Sequence, residues 1–256
     1  MQKTSSTPTQ NNKVLITGAT SGIGYALAKK YLSEGWQVIG IGRDISKVKE
    51  LMSNFRNNFD FFEIDLSDFK NLNKNFSDVL INHKNLNTVI LNAGIYIPDS
   101  YENFSFKNAK QSFDINVLSI YFTIEILRKN IHLDFKHTLA IVSSVAGYRG
   151  LPKSILYGPT KAALINLCES LRVDLPKEVN IKLINPGFIK TPATSINNFK
   201  MPFLMTAEKA ALIIFSRIYK KGFEISFPFP FNFMMKFGSI LPYNIYFKFT
   251  DYISRK

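Results

Sequence analysis

The chain has 256 residues, of which 46% are hydrophobic, and a single cysteine, Cys168. This length suffices to bury the core of one α/β domain, and one cysteine excludes an internal disulfide or a cysteine-based metal cage, so no metal site is expected. The net charge of +13 comes from lysines scattered along the chain rather than from a basic run, which favours a solvated surface over nucleic-acid binding.

The first twelve residues are polar and lack the apolar stretch of a signal peptide. We therefore predict a disordered tail over residues 1–12 and a globular domain over residues 13–228. No apolar run approaches the roughly 20 residues that a membrane helix requires. A cytoplasmic protein is the expectation.

Short apolar runs rich in β-branched residues alternate with longer stretches in which apolar residues recur every three or four positions. The predicted strands are Lys13–Thr17, Gln37–Ile41, Phe59–Ile64, Thr88–Leu91, Thr138–Val142, Ile181–Ile184 and Phe223–Phe227. Alternation of this kind predicts βαβ units, and hence an α/β fold in which helices cover both faces of a parallel sheet.

A glycine-rich segment follows the first predicted strand and precedes the first helix. Its glycines, Gly18, Gly22 and Gly24, have the spacing G-x-x-x-G-x-G. Glycines permit the tight turn and let the backbone approach a pyrophosphate, while the free N–H groups of the helix N-terminus attract its charge. We predict a dinucleotide-binding loop in which Ser21 and Ile23 also contact the cofactor.

The tip of the second predicted strand indicates which cofactor this loop binds. An acidic residue there would bind the adenosine ribose 2′-hydroxyl, but the chain has Gly42 followed by Arg43. Arginine binds phosphate well, and Asp44 is interpreted as the N-cap of the next helix. The sequence therefore predicts NADP(H) as the preferred cofactor, with NAD(H) as the alternative.

A second group of polar residues follows the fifth predicted strand. Ser144 lies at the end of that strand, Tyr157 comes thirteen residues later at the start of a helix, and Lys161 lies one helical turn beyond it. A lysine ammonium lowers the pKa of a neighbouring tyrosine from its usual value of about 10. Tyr157 is then suited to acid–base catalysis, with Ser144 holding a substrate carbonyl or alcohol oxygen.

Together these motifs resemble the short-chain dehydrogenase/reductase family over about residues 13–227. The resemblance implies a doubly wound, Rossmann-like sheet of seven parallel strands in the order 3-2-1-4-5-6-7, and it adds Asn116 to Ser144, Tyr157 and Lys161 as a catalytic tetrad. Tyr157 and Lys161 are also implied to contact the cofactor. The further cofactor contacts that the resemblance implies are Asp65, Leu66, Asn92, Ala93, Gly94, Pro186, Gly187, Ile189 and Thr191.

The substrate is less well defined by the sequence. The segment over residues 193–206, which corresponds to the family's substrate lid, is apolar and favours a lipid-like or aromatic carbonyl. Helices over residues 113–128 and 161–175 are apolar on more than one face, and the resemblance implies a homodimer or homotetramer. The alternative function is a non-catalytic, nucleotide-sensing or membrane-associated binding protein of the same fold; the presence of both Tyr157 and Lys161 favours the enzyme.

The last residues, 229–256, form an aromatic and basic extension that departs from the alternating pattern. Pro242 divides it into two predicted helices, around Phe231–Ile240 and Asn244–Ile253. In the second, Ile245, Phe249 and Tyr252–Ile253 share a face that is expected to dock on something apolar. Four accounts remain open: the extension caps the active site, packs on a partner subunit, makes peripheral contact with a membrane, or covers apolar surface at the sheet edge.

Overall fold

A computed structural model describes residues 12–83, 85–130, 137–177, 179–197 and 201–254. The strands are β1 (Lys13–Thr17), β2 (Gln37–Gly42), β3 (Phe59–Glu63), β4 (Thr88–Leu91), β5 (Thr138–Val142), β6 (Asn180–Pro186), β7 (Ile189–Lys190), β8 (Met205–Thr206) and β9 (Glu224–Phe227). One parallel sheet has the order β3-β2-β1-β4-β5-β6-β9. The predicted fold and strand order are confirmed, with β9 as the seventh strand of the sheet.

The helices that connect the strands lie on both faces of the sheet. They are α1 (Gly22–Ser33), α2 (Lys49–Asn54), α3 (Phe69–Asn82), α4 (Phe106–Phe113), α5 (Ser119–Asn130), α6 (Tyr157–Asp174), α7 (Ala207–Arg217), α8 (Phe231–Ile240) and α9 (Tyr243–Ser254). A π-helical turn, Asp114–Leu118, joins α4 to α5, and a 3₁₀ turn, Val145–Gly147, follows β5.

The sheet separates two apolar cores. In β1, the side chains of Val14 and Ile16 pack in the core beneath α1 and α7, whereas Leu15 packs in the core beneath α3, α5 and α6. Successive strand residues point to opposite faces, and all three of these side chains are fully buried. Burial of each stabilises the fold by about 1.5–3 kcal/mol, which explains why this strand is a continuous apolar run rather than an alternating one.

The direction of the strand order reverses between β1 and β4. In doubly wound sheets, the crevice outside the carboxyl ends of the strands at this reversal binds ligands. The glycine-rich segment leaves the carboxyl end of β1, Asn92 follows β4, and Ser144 follows β5. The fold therefore brings both groups of predicted functional residues to one edge of the sheet.

The ends of the chain are described in part. The tail predicted over residues 1–12 lies outside the described residues except for Asn12, whose carbonyl accepts a hydrogen bond from the backbone N–H of Gln37 (3.0 Å). The C-terminal extension is described up to residue 254. None of the helices in the described ranges combines the length and hydropathy needed to cross a bilayer.

Helices α8 and α9 lie where the sequence places them, separated by Leu241 and Pro242. The predicted docking face of the second helix is wrong at Ile245, which is 55% exposed, while the adjacent Tyr246 is 6% exposed. The side chains of Phe249, Tyr252 and Ile253 lie outside the described part of the structure. Tyr246 turns inward because its hydroxyl donates a hydrogen bond to the carbonyl of Gly150 and its ring contacts the guanidinium of Arg149. Polar and cationic contacts, rather than apolar periodicity, determine the buried face here.

Candidate active site

The glycine-rich segment forms a tight turn between β1 and α1. Gly18 and Gly22 have positive φ angles of 71° and 54°, a conformation that side chains with a Cβ rarely adopt. A Cβ on Gly24 would lie 2.1 Å from the carbonyl oxygen of Gly18, so Gly24 lets the helix pack closely behind the turn. Ser21 is the N-cap of α1, but its hydroxyl makes no capping hydrogen bond. This hydroxyl is therefore available to a ligand.

Asn92 fastens the end of β4 to this turn. Its amide nitrogen donates to the carbonyls of Thr17 (3.0 Å) and Gly18 (3.4 Å). In return, the hydroxyl of Thr17 accepts the backbone N–H groups of Asn92 and Ala93 at 3.0 and 3.1 Å. The two strands at the reversal of the sheet are thereby held in register at the mouth of the crevice.

Arg43 lies exposed at the tip of β2 and lines the crevice. The carboxylate of Asp44 is the N-cap of the following 3₁₀ turn and accepts the backbone N–H of Ser46 at 3.0 Å, as predicted. Burial alone would raise the pKa of Asp65, but hydrogen bonds from Ser67 and the charge of Arg43 hold that pKa below its ordinary value.

Ser144, Tyr157 and Lys161 converge at the other end of the crevice. Tyr157 is the first residue of α6. The Lys161 ammonium lies 5.4 Å from the centroid of the Tyr157 ring and donates a hydrogen bond to the carbonyl of Val142 (3.1 Å). The Ser144 hydroxyl accepts the backbone N–H of Ala146 (3.1 Å) and donates to the carbonyl of Pro186 (3.3 Å).

The pKa values of the two titratable groups move in opposite directions. Burial raises the pKa of Tyr157 to about 12, and a hydrogen bond with Ser144 opposes the rise. Burial lowers the pKa of Lys161 to about 8. The expected lowering of the tyrosine pKa by the lysine is not found, because removing both side chains from water disfavours their charged forms more than their proximity favours them.

Asn116 lies in the π-helical turn and is fully buried. Its amide oxygen accepts the backbone N–H of Ile95 (2.7 Å), and its nitrogen donates to the carbonyl of Ile95 (3.0 Å) and to the hydroxyl of Thr160 (3.1 Å). The Thr160 hydroxyl donates in turn to the carbonyl of Tyr157 (2.7 Å). Asn116 therefore connects the segment after β4 to the first turn of α6.

A crevice of about 260 Å³ joins the two groups of residues. The predicted site residues that line it are Gly18, Ser21, Gly22, Ile23, Arg43, Asp65, Leu66, Asn92, Ala93, Gly94, Ser144, Tyr157, Lys161, Pro186, Gly187, Ile189 and Thr191. Two predicted residues are not in its wall: Gly24 lies behind the turn, and Asn116 lies behind Ile95.

Part of the crevice wall was not predicted from the sequence. Residues that line the crevice without having been predicted include Thr20, Ile64, Ile95, Tyr96, Ile115, Val142, Ser143, Ala193 and Thr194. Tyr96 is the most informative, since its ring meets that of Tyr157 edge-on, with centroids 5.4 Å apart. Its place directly after Asn92–Ile95 is the signal that could have found it.

The lining of the crevice fits a nicotinamide dinucleotide. A Cβ on Gly22 would come within 2.9 Å of Thr191, so the glycine lets the segment after β6 approach the turn closely. The helix N-terminus at Ser21 and the cation of Arg43 provide two separate attractions for phosphate. Within the described ranges, His, Cys, Asp and Glu side chains form no group of three that could hold a metal ion.

Comparison with known proteins identifies the family. The short chain dehydrogenase profile matches residues 12–201, and the chain therefore belongs to the short-chain dehydrogenase/reductase family. An uncharacterized oxidoreductase of Myxococcus xanthus is 29% identical over 232 residues, which cover 89% of this chain and 92% of that protein. Dehydrogenase/reductase SDR family member 11 of Homo sapiens is 30% identical over 190 residues, 69% of this chain and 73% of the relative. The predicted enzyme class, an oxidoreductase of this family, is confirmed.

Solved structures agree with the fold. A short-chain dehydrogenase from Streptomyces avermitilis superposes with a TM-score of 0.79 at 19% identity, covering 96% of this chain and 98% of that one. ElxO, solved with NADP bound, superposes with a TM-score of 0.71 at 26% identity, covering 85% of this chain and 97% of its own.

Proposed function

We propose that the protein is an NADP(H)-dependent oxidoreductase that interconverts a carbonyl and an alcohol, with Tyr157 as the acid–base group. The observation that carries the proposal is the arrangement of the crevice. One end is a glycine turn at a helix N-terminus, and the other end holds Ser144, Tyr157 and Lys161 within a single cavity. These residues would hold a dinucleotide along the crevice, with Ser144, Tyr157 and Lys161 at its nicotinamide end.

The bound nicotinamide supplies or accepts the hydride, and the protein handles the proton. In the reducing direction, the Tyr157 hydroxyl donates its proton to the substrate oxygen, while the Ser144 hydroxyl donates a hydrogen bond to the same oxygen. The Lys161 ammonium, 5.4 Å from the centroid of the Tyr157 ring, would stabilise the phenolate that forms once the proton has left, and it would hold the nicotinamide ribose hydroxyls. Asn116 holds the segment bearing Tyr96 against α6 through Ile95 and Thr160.

The preference for NADP(H) is supported by the tip of β2. Arg43 is exposed and lines the crevice, whereas Asp44 caps the next turn and does not line the crevice. A 2′-phosphate at this tip would meet the Arg43 cation, which favours NADP(H). ElxO, which shares 26% identity, was solved with NADP bound.

An apolar substrate is supported by the lid segment and by Tyr96. In the lid, Ile196, Phe203 and Leu204 are each nearly half exposed or more, and residues 198–200 lie outside the described ranges. Tyr96 presents an aromatic edge beside Tyr157. An extended or aromatic carbonyl would cover these side chains when its oxygen reaches Ser144.

The direct test is NADPH oxidation with a panel of ketones and aldehydes, comparing the wild type with Tyr157→Phe. The Phe variant keeps the ring but loses the transferable proton, so kcat should fall at least about 10²-fold while NADPH still binds. Near-normal turnover by Tyr157→Phe would exclude Tyr157 as the acid. NADPH binding by a wild type that turns over no member of the panel would support the alternative, a non-catalytic nucleotide-sensing protein.

A peripheral membrane contact is the second part of the proposal. Helices α8 and α9 and the segment just before α8 carry an outer aromatic face, made of five aromatic residues and one isoleucine that are more than half exposed: Phe229, Phe233, Phe237, Ile240, Tyr243 and Phe247. Residues 229–256 contain four basic residues and one acidic residue, Asp251. Aromatic and basic side chains together suit an anionic lipid surface, and such a surface would supply an apolar substrate.

A further inference from the structure

Arg149 occupies the corner between α8 and α9. Its guanidinium donates to the carbonyls of Gly238 (2.9 Å) and Ser239 (3.2 Å) and to that of Leu241. These carbonyls end α8, where backbone acceptors lack helical partners and the helix dipole favours a cation. The same guanidinium lies 4.7 Å and 4.1 Å from the ring centroids of the first two tyrosines of α9, Tyr243 and Tyr246.

On the N-terminal side of Arg149, a short 3₁₀ turn connects it to Ser144. The 3₁₀ turn between them is held by two hydrogen bonds, from Gly147 N–H to the Ser144 carbonyl (3.0 Å) and from Tyr148 N–H to the Val145 carbonyl (3.2 Å). A Cβ on Gly147 would lie 2.6 Å from the backbone of Lys161. The turn that carries Ser144 is therefore packed between the backbone of α6 and the corner that Arg149 fills.

Tyr148 and Gly150 secure the segment on either side of Arg149. The Tyr148 hydroxyl donates to Glu224 of β9, whose carboxylate also accepts from Asn185 (2.7 Å). The Tyr246 hydroxyl donates to the carbonyl of Gly150. Three consecutive residues, 148–150, thus bind the seventh strand and the C-terminal helices, although they follow Ser144 by only four to six positions.

We propose that Arg149 is a positioning residue, which uses helices α8 and α9 as a rigid support for the turn that presents the Ser144 hydroxyl to the substrate. The inference rests on the proposed role of Ser144 and extends it. The C-terminal extension becomes part of the active-site scaffold, although none of its residues lines the crevice among the described residues.

The test compares three variants with the wild type. Arg149→Met keeps the aliphatic stem and removes the cation, so kcat should fall about 10-fold while KM for NADPH changes less than about 2-fold, because the cofactor binds at the other wall. Arg149→Lys keeps the charge over the tyrosines and should restore part of kcat. Arg217→Met, at an exposed arginine on α7, is the matched control and should behave as the wild type.

A double-mutant cycle separates positioning from general destabilisation. If Arg149 acts through Ser144, Ser144→Ala/Arg149→Met should be no slower than Ser144→Ala within about 2-fold, because no hydroxyl remains to be positioned. Losses that multiply in the double variant would overturn the inference, as would a wild-type kcat in Arg149→Met. If Arg149→Met fails to fold, Arg149→Lys and Tyr246→Phe, which removes only the bond to Gly150, enter the same cycle.

Amide hydrogen exchange provides a readout that does not depend on turnover. The N–H groups of Ala146 and Gly147 bond to the side chain and carbonyl of Ser144, and they should exchange about 10-fold faster in Arg149→Met than in the wild type. Unchanged exchange overturns the support role even if no carbonyl substrate is found. A wild type without turnover contradicts the proposed function alone.

Discussion

At the level of single residues, burial in the active site disfavours the charged forms of two titratable side chains. Burial moves the pKa of Tyr157 up to about 12 and that of Lys161 down to about 8. A protonated tyrosine is the form that donates to a developing alkoxide. The wall of the crevice therefore favours carbonyl reduction at neutral pH, and alcohol oxidation should accelerate as the pH rises.

The lowered pKa of Lys161 predicts a pH-dependent stability. Between pH 8 and 10.5, the unfolded lysine binds a proton that the folded one does not, so the wild type gains stability as the pH rises through this window. Lys161→Met cannot be charged. Its free energy of unfolding should exceed that of the wild type by up to roughly 3 kcal/mol at pH 7, and the difference should shrink by pH 10.

Urea unfolding at both pH values measures this difference. Lys70→Met, at an exposed lysine of α3, is the control and should show no such trend. A gain for Lys161→Met that grows toward pH 10 would contradict the direction of the pKa shift. The lost hydrogen bond to Val142 reduces the gain equally at both pH values.

Arg43 predicts how cofactor affinity divides between the two nicotinamide dinucleotides. A charge-assisted bond to phosphate contributes about 1.5–3 kcal/mol, so Arg43→Ala should weaken NADPH about 10- to 100-fold and leave NADH nearly unchanged. Fluorescence titration of both cofactors measures the ratio. Lys47→Ala removes a nearby cation that pairs with Asp44 and serves as the control; a wild type with equal affinity for NADH and NADPH would refute the preference.

At the level of elements, the sequence predicts what local patterns determine. β1, β4 and β5 have the predicted bounds, as does α8, because apolar runs and Pro242 mark their ends. The strands β7 and β8 are two residues each, too short for any periodicity to appear. Asn116 was predicted as a site residue only from resemblance to a family, and its π-helical turn was not predicted, since nothing in the local pattern distinguishes it from an ordinary helix.

The contacts of the C-terminal extension could not be predicted for a different reason. Arg149 and Tyr246 bond to partners 89–96 residues away in the chain. A single arginine between Tyr148 and Gly150 carries no signal that it fills a helix corner, and the apolar pattern of α9 pointed to Ile245 instead. Such pairings form only when the completed sheet brings together the segments that follow the carboxyl ends of β5 and β9.

The outer aromatic face of α8 and α9 predicts vesicle binding. Substituting Phe233, Phe237 and Ile240 by serine leaves Arg149 and its partners intact but removes three exposed apolar groups. Binding to vesicles of phosphatidylcholine and phosphatidylserine should weaken at least about 10-fold, since each apolar side chain that leaves water contributes about 1.5–3 kcal/mol.

Co-sedimentation measures this binding, and turnover of a small soluble carbonyl should be unaffected in the same variant. Ile81→Ser, at an exposed apolar residue of α3, is the control for a general loss of surface hydrophobicity. A wild-type protein that stays in the supernatant with anionic vesicles would refute the membrane contact and leave the outer aromatic face to another partner.

At the level of the whole molecule, two regions besides the lid group several exposed apolar side chains. One is the outer aromatic face. The other comprises α4, the π-helical turn, α5 and the end of α6. Its most exposed apolar side chains are 47–83% exposed and belong to Phe106, Leu118, Tyr121 and Val173. Scattered apolar side chains are ordinary on a protein surface, but groups of this kind mark interaction sites. Two such regions on one chain can serve two different contacts, a membrane and a second subunit.

We predict that α5 and α6 form the interface of a homodimer, as the family resemblance implies. A stable interface buries about 1,200–2,000 Å² in total, and two long helices with exposed apolar residues from each subunit present a surface of that kind.

Light scattering at micromolar concentration should give twice the chain mass of 29.2 kDa or a larger multiple. Tyr121→Glu/Val173→Glu places charges in the interface and should shift the protein to monomer, because burying unpaired carboxylates is costly. Ile81→Glu, on α3, should leave the assembly unchanged, and a wild-type mass of one chain would refute the interface.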